Sequence, residues 1–563
     1  PVDPPVDPPI DPPVEPPVEP PVDPPIDPPV EPPVEPPVEP PTPSEEPELP
    51  MVSNFDTPVE NVDEELKQTL DPQQPPQAPP PIVSPPTPAI ALIPGIEQQL
   101  NAVERVFSNQ LQTFLGRSSG AVTYAGEVGQ TLKRVKSAAQ INPAVIYAFF
   151  TPQESVDDAI AGRTTGLLAS ADQKIFLADS DAAENCLSAR PAQADDPLWQ
   201  FDSCGWGNFA PTTRLSKETD QLVLILVTPE GRTVRQVVPD AQRSQVLETV
   251  KTFQRAVTDL SIPASQSQTL GQQVYEWIVR PLQNDLETED INNLVFIMDE
   301  GLRSLPLAAM HDGSGYLIEN YSVGLMPSMS LADTDFVSVQ NMQVLAMGAE
   351  EFRSQSPLPS VPVEISTIAR GIWRGETFLN EDFTPQALKS ARQQQEFGIV
   401  HLATHGEFRA GDPDRSYIQF WDSRVGIDDL LELGLTDSPA VSLLVLSACR
   451  TALGDPNAEL GFSGLAVASG VQTALGGLWY VSDVGTLGLM TTFYKNLRTA
   501  PIKAEALRQA QLSLLSKETR IEDSQVITAD LTIPLPQDLQ PLTDLDLSHP
   551  YFWSGITMVG TPW

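Results

Sequence analysis

Across 563 residues the chain carries 75 acidic against 33 basic side chains, a formal net charge of −42, together with 59 prolines. That charge excludes a general affinity for nucleic acid or anionic lipid headgroups, which would repel it, and no Lys/Arg cluster offers a local exception. Three cysteines without a Cys-x-x-Cys pair exclude a disulfide scaffold and thioredoxin-like or zinc-ribbon chemistry, and the prolines leave less chain for a packed core than the length suggests.

The first residue is proline, which points to a processed or trimmed chain. From Val2 to Pro41 a tetrad of Val or Ile, Asp or Glu, and Pro-Pro repeats ten times. Proline fixes φ and removes half of the amide donors, so polyproline II is expected, at about 3.1 Å per residue and on the order of 120 Å in all. The repeat reads as a spacer or stalk, with a docking site for a proline-recognition module as the alternative. Residues 1–94 as a whole are expected to be disordered, apart from a short helix around Glu64 to Leu70.

Folded structure begins near Pro94-Gly95. Ile96, Leu100, Val103, Phe107 and Leu111 fall at helical spacing, and Gly116 stands where a helix would close. A strand is expected at Ala144 to Phe150, and a hairpin at Gln221 to Thr228 and Val234 to Val238, turned through Pro229-Glu230-Gly231-Arg232. Between them lies a long irregular insert with Cys186 and Cys204, a candidate disulfide in an exported chain and two surface thiols otherwise. Helical spacing follows over Asp240 to Leu260 and Leu270 to Leu286.

Thereafter strand candidates alternate with helices. The strands are Leu294 to Met298, Gln343 to Met347, Gly398 to Ala403, Ser442 to Leu446, Thr473 to Val481 and Phe552 to Val559. The helices are Glu364 to Gly371, Pro385 to Arg392, Gly461 to Ser469, Thr486 to Leu497 and Ile502 to Leu515. Such alternation predicts an α/β domain over 266–563, a mainly parallel central sheet with helices on both faces, preceded by a smaller α+β region over 95–265. The uncharged stretch Leu460 to Ser482 is rich in glycine and reads as a buried helix and core strand, so no membrane insertion is expected.

Two stretches carry chemistry. Val441 to Gly454 is an apolar run leading to Cys449, and Phe397 to Phe408 leads to His405-Gly406. In an open α/β sheet reactive groups gather at the carboxyl ends of the strands, which would bring this thiol and this imidazole to one edge. Only the thiolate attacks, so Cys449 needs a base such as His405; the backbone amides of Gly406 and Cys449 could face a developing oxyanion. The bland counterpart is an inert buried thiol and a surface histidine. His401 reads as a core or supporting histidine. A zinc site on His401 and His405 lacks the helix and the glutamate of a His-Glu-x-x-His motif, and no Gly-x-Ser-x-Gly elbow or phosphate-binding loop is present. No cofactor is called for.

Ala403-Thr404-His405-Gly406-Glu407-Phe408 and Leu446-Ser447-Ala448-Cys449-Arg450-Thr451-Ala452-Leu453-Gly454 resemble the CHAT family, caspase-like domains often found in bacteria beside tetratricopeptide repeats. Gly301 to Gly313, Tyr321 to Ser328 and His549 to Trp553 look like the same family, in the same order. The resemblance covers roughly Leu270 to Trp563. It implies a caspase-like α/β fold and a cysteine peptidase with a His-Cys dyad, here His405 and Cys449. Three departures stand out: no 34-residue repeat precedes the domain, Arg450 follows the cysteine where many relatives have glutamate, and Ser447 is neutral where metacaspase-like enzymes carry an acid that reads a basic P1 side chain. Ser447 and Asp483 are therefore candidate pocket residues; for Asp483 the plainer role is a surface aspartate capping the helix from Thr486.

The leading expectation is a caspase-like cysteine endopeptidase acting on a protein or peptide, with an activating protein as a further partner. Its rival is a non-catalytic interaction or scaffold module held on the stalk. A metal-dependent hydrolase on His401 and His405 is the third. The stalk and the Cys186–Cys204 pair point to an exported or envelope-associated chain, with the cytoplasm as the alternative.

Overall fold

The computed structural model describes residue 90 and residues 95–114, 125–153, 216–353, 355–408, 416–426, 429–437, 439–451, 470–541 and 545–563. The tetrad repeat, the helix expected at Glu64 to Leu70, Gly116, the Cys186–Cys204 pair and the helix expected at Gly461 to Ser469 lie outside the described residues.

Two helices, α1 (Ile96–Phe114) and α2 (Ala125–Ala139), precede β1 (Pro143–Thr151), the hairpin β2 (Gln221–Val227) and β3 (Thr233–Gln242), and helices α3 (Arg243–Thr258), α4 (Ala264–Ile278) and α5 (Gln283–Thr288). Next come β4 (Asn293–Met298), α6 (Leu317–Asn320), β5 (Ser322–Leu325), β6 (Val344–Gly348), α7 (Val361–Ser366), β7 (Gly375–Leu379) and α8 (Pro385–Gln394). The chain continues through β8 (Ile399–Phe408), β9 (Tyr417–Gln419), β10 (Arg424–Gly426), β11 (Leu443–Thr451) and β12 (Thr473–Gly477) into α9 (Asp483–Leu497) and α10 (Lys503–Leu515). A small meander of β13 (Arg520–Glu522), β14 (Gln525–Ile527) and β15 (Thr532–Pro534), then α11 (Pro550–Trp553) and β16 (Ile556–Gly560), complete the described elements.

Thirteen of the described strands form one sheet built as two parallel blocks. In the first block β1, β4, β5 and β16 run parallel, extended at its edge by the antiparallel hairpin β2-β3. In the second β12, β11, β8, β6 and β7 run parallel, and β9-β10 pair antiparallel with the far half of β8. A single antiparallel seam, β12 against β16, joins the blocks. In β1, β2, β4, β6 and β12 every residue is buried, so both faces of the sheet are covered, as the continuous apolar runs in the sequence require. The edge strands β3 and β7 are only partly buried.

The segment 95–265 thus contributes strands to the same sheet as the following residues, through the parallel pairing of β1 with β4. Its first helix is fastened by a buried carboxylate. Glu104 accepts from the Tyr147 hydroxyl at 2.8 Å, the Ser328 and Ser330 hydroxyls at 2.8 and 3.0 Å, and the amides of Met329 and Ser330 at 3.1 and 3.2 Å. Such a full set of donors offsets the cost of burying the charge.

The periodic segments fold largely as expected, with differences at ends. The helix expected from Asp240 begins at Arg243 because β3 continues to Gln242, with Asp240 at φ 56°. Phe552 belongs to the helical turn α11 and not to a strand: Pro550 takes the first helical position and His549 Nδ1 accepts from the Tyr551 amide, so β16 starts at Ile556. The strand expected over Thr473 to Val481 stops at Gly477.

Candidate active site

Both reactive strands are longer than their apolar runs. β8 continues through His405 and Gly406 to Phe408, and β11 continues through Cys449 to Thr451. Gly406 therefore does not open a turn, and Cys449 does not end its strand. The two strands are parallel neighbours, with Ala448 opposite His405 and Cys449 opposite Gly406. One extra residue in β8 between the pairs Leu446–Leu402 and Ala448–His405 makes a bulge there. Bulges re-aim a strand, and this one falls between the core part of β8 and the histidine.

His405 is 7% exposed. Its Nε2 lies 2.8 Å from the Ser356 carbonyl oxygen, which can only accept, so the ring carries its proton on Nε2. Nδ1 is left as the acceptor nitrogen; it is buried and has no hydrogen-bond partner among the described residues. The Phe352 ring stands edge-on to the imidazole with centroids 4.8 Å apart. Burial lowers the His405 pKa from its ordinary value, opposed in part by the Ser356 bond. The result is an oriented imidazole biased by burial towards its neutral form, with Nδ1 unpartnered among the described residues, on the strand next to that of Cys449.

Ser356 and Phe352 belong to the connection between β6 and α7, residues 349–360. Gly348, the last residue of β6, has no room for a side chain: a Cβ would stand 2.5 Å from the Ala403 carbonyl. This close approach seats the start of the connection against β8. The Glu350 amide is held by Asn380 Oδ1 at 2.9 Å, and the Leu358 amide returns to the Glu350 carbonyl at 2.8 Å, closing the neck of the loop. At its far end Ser360 donates its amide to Asp483 Oδ2 at 3.0 Å and its hydroxyl to Oδ1.

Asp483 is thus neither a surface residue nor the cap of its helix. Ser482 is the N-cap, its hydroxyl accepting from the Gly485 amide at 3.3 Å, and Asp483 occupies the first helical position, half-buried. Desolvation raises its pKa to about 6, with Glu364 adding a like charge and the Ser360 bonds pulling the other way. Ser447 is 1% exposed, so its hydroxyl cannot touch a substrate in this conformation. Gly406 is flanked by Cys449 on one side and Ile418 on the other, so both residues whose amides are candidate oxyanion donors lie in paired stretches of strand.

His401 is a core residue. Its Nε2 lies 2.9 Å from Glu364 Oε1 and its Nδ1 3.2 Å from the Tyr494 hydroxyl. With both nitrogens engaged it is not available to bind an ion together with His405, and no group of three metal-binding side chains occurs among the described residues. Sequence reasoning missed Phe352, Ser356, Ser360 and Glu364. The signal was Ser356-Pro357-Leu358-Pro359-Ser360, a proline-stiffened loop just after a core strand, where parallel sheets gather their functional groups.

The CHAT domain family matches residues 268–561 of the 563. Curated proteins give no match. Among solved structures, Saccharomyces cerevisiae separase in its complex with securin aligns with TM-scores of 0.42 and 0.43 at 9% identity, covering 83% of this chain and 34% of the separase chain. The chain therefore spans about a third of the length of the separase it aligns with. The Arg-specific cysteine proteinase gingipain R aligns with a TM-score of 0.32 at 10% identity, over 57% of this chain and 74% of that one. At such scores neither alignment assigns a role to any residue.

Proposed function

This chain belongs to the CHAT domain family, and on that premise we propose that it is a caspase-like cysteine endopeptidase in which His405 and Cys449 form the dyad. The Cys449 thiol gives its proton to His405 Nδ1 and the sulfur attacks a peptide carbonyl; the imidazolium then returns the proton to the leaving amine. Water, deprotonated by the same nitrogen, hydrolyses the thioester and restores the thiol. The amides of Gly406 and Cys449, residues that face each other across β8 and β11, are the proposed oxyanion donors.

The observation that carries this reading is the hydrogen bond from His405 Nε2 to the Ser356 carbonyl, which leaves Nδ1 as an acceptor without a partner among the described residues, on a strand paired with that of Cys449. The core histidine His401, by contrast, has both nitrogens engaged. Burial of His405 beneath Phe352 further favours a latent enzyme that a protein partner opens. Among the described residues no helix is long and apolar enough to cross a membrane.

The test is a peptide library screened with a panel of peptidyl acyloxymethyl ketones. Cleavage together with covalent capture at Cys449, both lost in His405→Ala, is the expected result. A folded protein that cleaves nothing and captures no probe supports the non-catalytic module instead.

A further inference from the structure

Asp483 combines three features. Both of its carboxylate oxygens accept from Ser360, Oδ2 from the amide at 3.0 Å and Oδ1 from the hydroxyl. No Lys or Arg forms an ion pair with it among the described residues, and the charge nearest in effect is the like-signed Glu364. Ser360 itself is wholly buried, at the foot of the loop whose carbonyl fixes His405. A half-buried carboxylate without a counter-cation costs stability, and here what it gains is the placement of one serine.

That serine sits at a junction. Its carbonyl accepts from the Glu364 amide at 2.8 Å, and Glu364 reaches His401 on β8, four residues before His405. One turn of α7 is therefore tied to the strand that carries the imidazole, while the loop leading into it carries the Ser356 carbonyl. Asp483 supplies the third tie, from α9. We propose that Asp483 is a positioning residue: acting through Ser360, it anchors the 349–360 loop so that the Ser356 carbonyl stays against His405 Nε2. Without the anchor the carbonyl drifts and the imidazole is free to take the other tautomer, whose Nδ1 bears hydrogen and cannot receive the cysteine proton. The catalytic consequence rests on the His405–Cys449 reading; the tautomer consequence does not.

The experiment uses the full chain in wild-type, Asp483→Asn, Ser360→Ala and doubly substituted forms, with thermal unfolding as a check on folding. Nitrogen-15 NMR of histidine-labelled protein reads the His405 tautomer, the signal being assigned by its loss in His405→Gln. Wild type is expected to show Nε2–H alone and Asp483→Asn a mixture of tautomers. In peptide hydrolysis kcat is expected to fall about tenfold to a hundredfold with KM within about twofold, as for misplacement by an ångström or less. The double variant should be no worse than the more impaired single one. An unchanged tautomer in Asp483→Asn and Ser360→Ala overturns the proposal. So does a raised KM confined to basic substrates with kcat preserved, which would make Asp483 a substrate-reading acid. If the tautomer shifts while wild-type Cys449 proves inert, the positioning role stands and the dyad reading fails.

Discussion

Asp299, at the end of β4 in the first parallel block, and Asp483, beyond β12 in the second, are both carboxylates whose pKa desolvation raises. Asp299 is answered by positive charge from Arg243 and Arg303, and the amides of Phe150 and Glu300 bond it at 3.2 and 2.8 Å. Asp483 has Glu364 for a neighbour and a serine to hold. Nearby, His405 keeps one ring nitrogen buried and unpartnered among the described residues. The first block sets its strand-end acid against arginine charge; the second holds Asp483 with a serine and leaves it beside a like charge. A carboxylate without a counter-charge costs stability, so what sets the two blocks apart is what Asp483 holds in place.

The widest separation of the blocks should come from Cys449→Ala and His405→Ala, which remove the nucleophile and its base. Each is expected to lower kcat by about 10³-fold or more in protein that remains folded, as steady-state hydrolysis and calorimetry would read. In the first block Glu104→Ala should do the reverse. It removes the acceptor of five hydrogen bonds around a buried site and should cost about 3 kcal/mol of stability, with the surviving folded fraction retaining its kcat. Glu364→Ala sits between the two: it breaks the buried contact with His401 and should lower stability by a comparable amount, on the order of 3 kcal/mol, and activity with it.

A smaller effect concerns pH. The lowered pKa of His405 means that the folded protein binds this proton less readily than the unfolded chain does. Its contribution to stability is therefore present above the ordinary histidine value and is lost as pH falls. Activity should follow the neutral ring, so the acid limb of kcat/KM should lie below the ordinary histidine value. Phe352→Leu should give the mildest change. Loosening the cover over His405 moves that limb back towards the ordinary value, by less than about one pH unit, in a titration of hydrolysis rate.

Much of the architecture was legible because it rests on long apolar periods. The core strands β1, β4, β6, β8 and β11 and the helices α1, α9 and α10 are all written in local hydrophobicity. Strand ends were not, because hydrogen bonding to β9 and the mutual pairing of β8 with β11 carry these strands past their apolar runs into polar residues such as Thr404 and Glu407. His405 stood out by type and motif. The partner that orients it is a backbone carbonyl, a group every residue possesses, so no side-chain pattern could point to Ser356. Asp483 was visible as an acid after a core strand, but its link to Ser360 spans 123 positions in the chain and exists only once the sheet brings α7 and α9 together.

The most direct measurement of the central claim is the site-resolved rate of alkylation by iodoacetamide near neutral pH, followed by peptide mapping in the wild type and in His405→Ala. Modification of Cys449 is expected to be at least about tenfold faster in the wild type than in His405→Ala, and the rate should fall on the acid side as His405 takes up a proton. An unmodified Cys449, or one that reacts equally fast without His405, would contradict the dyad.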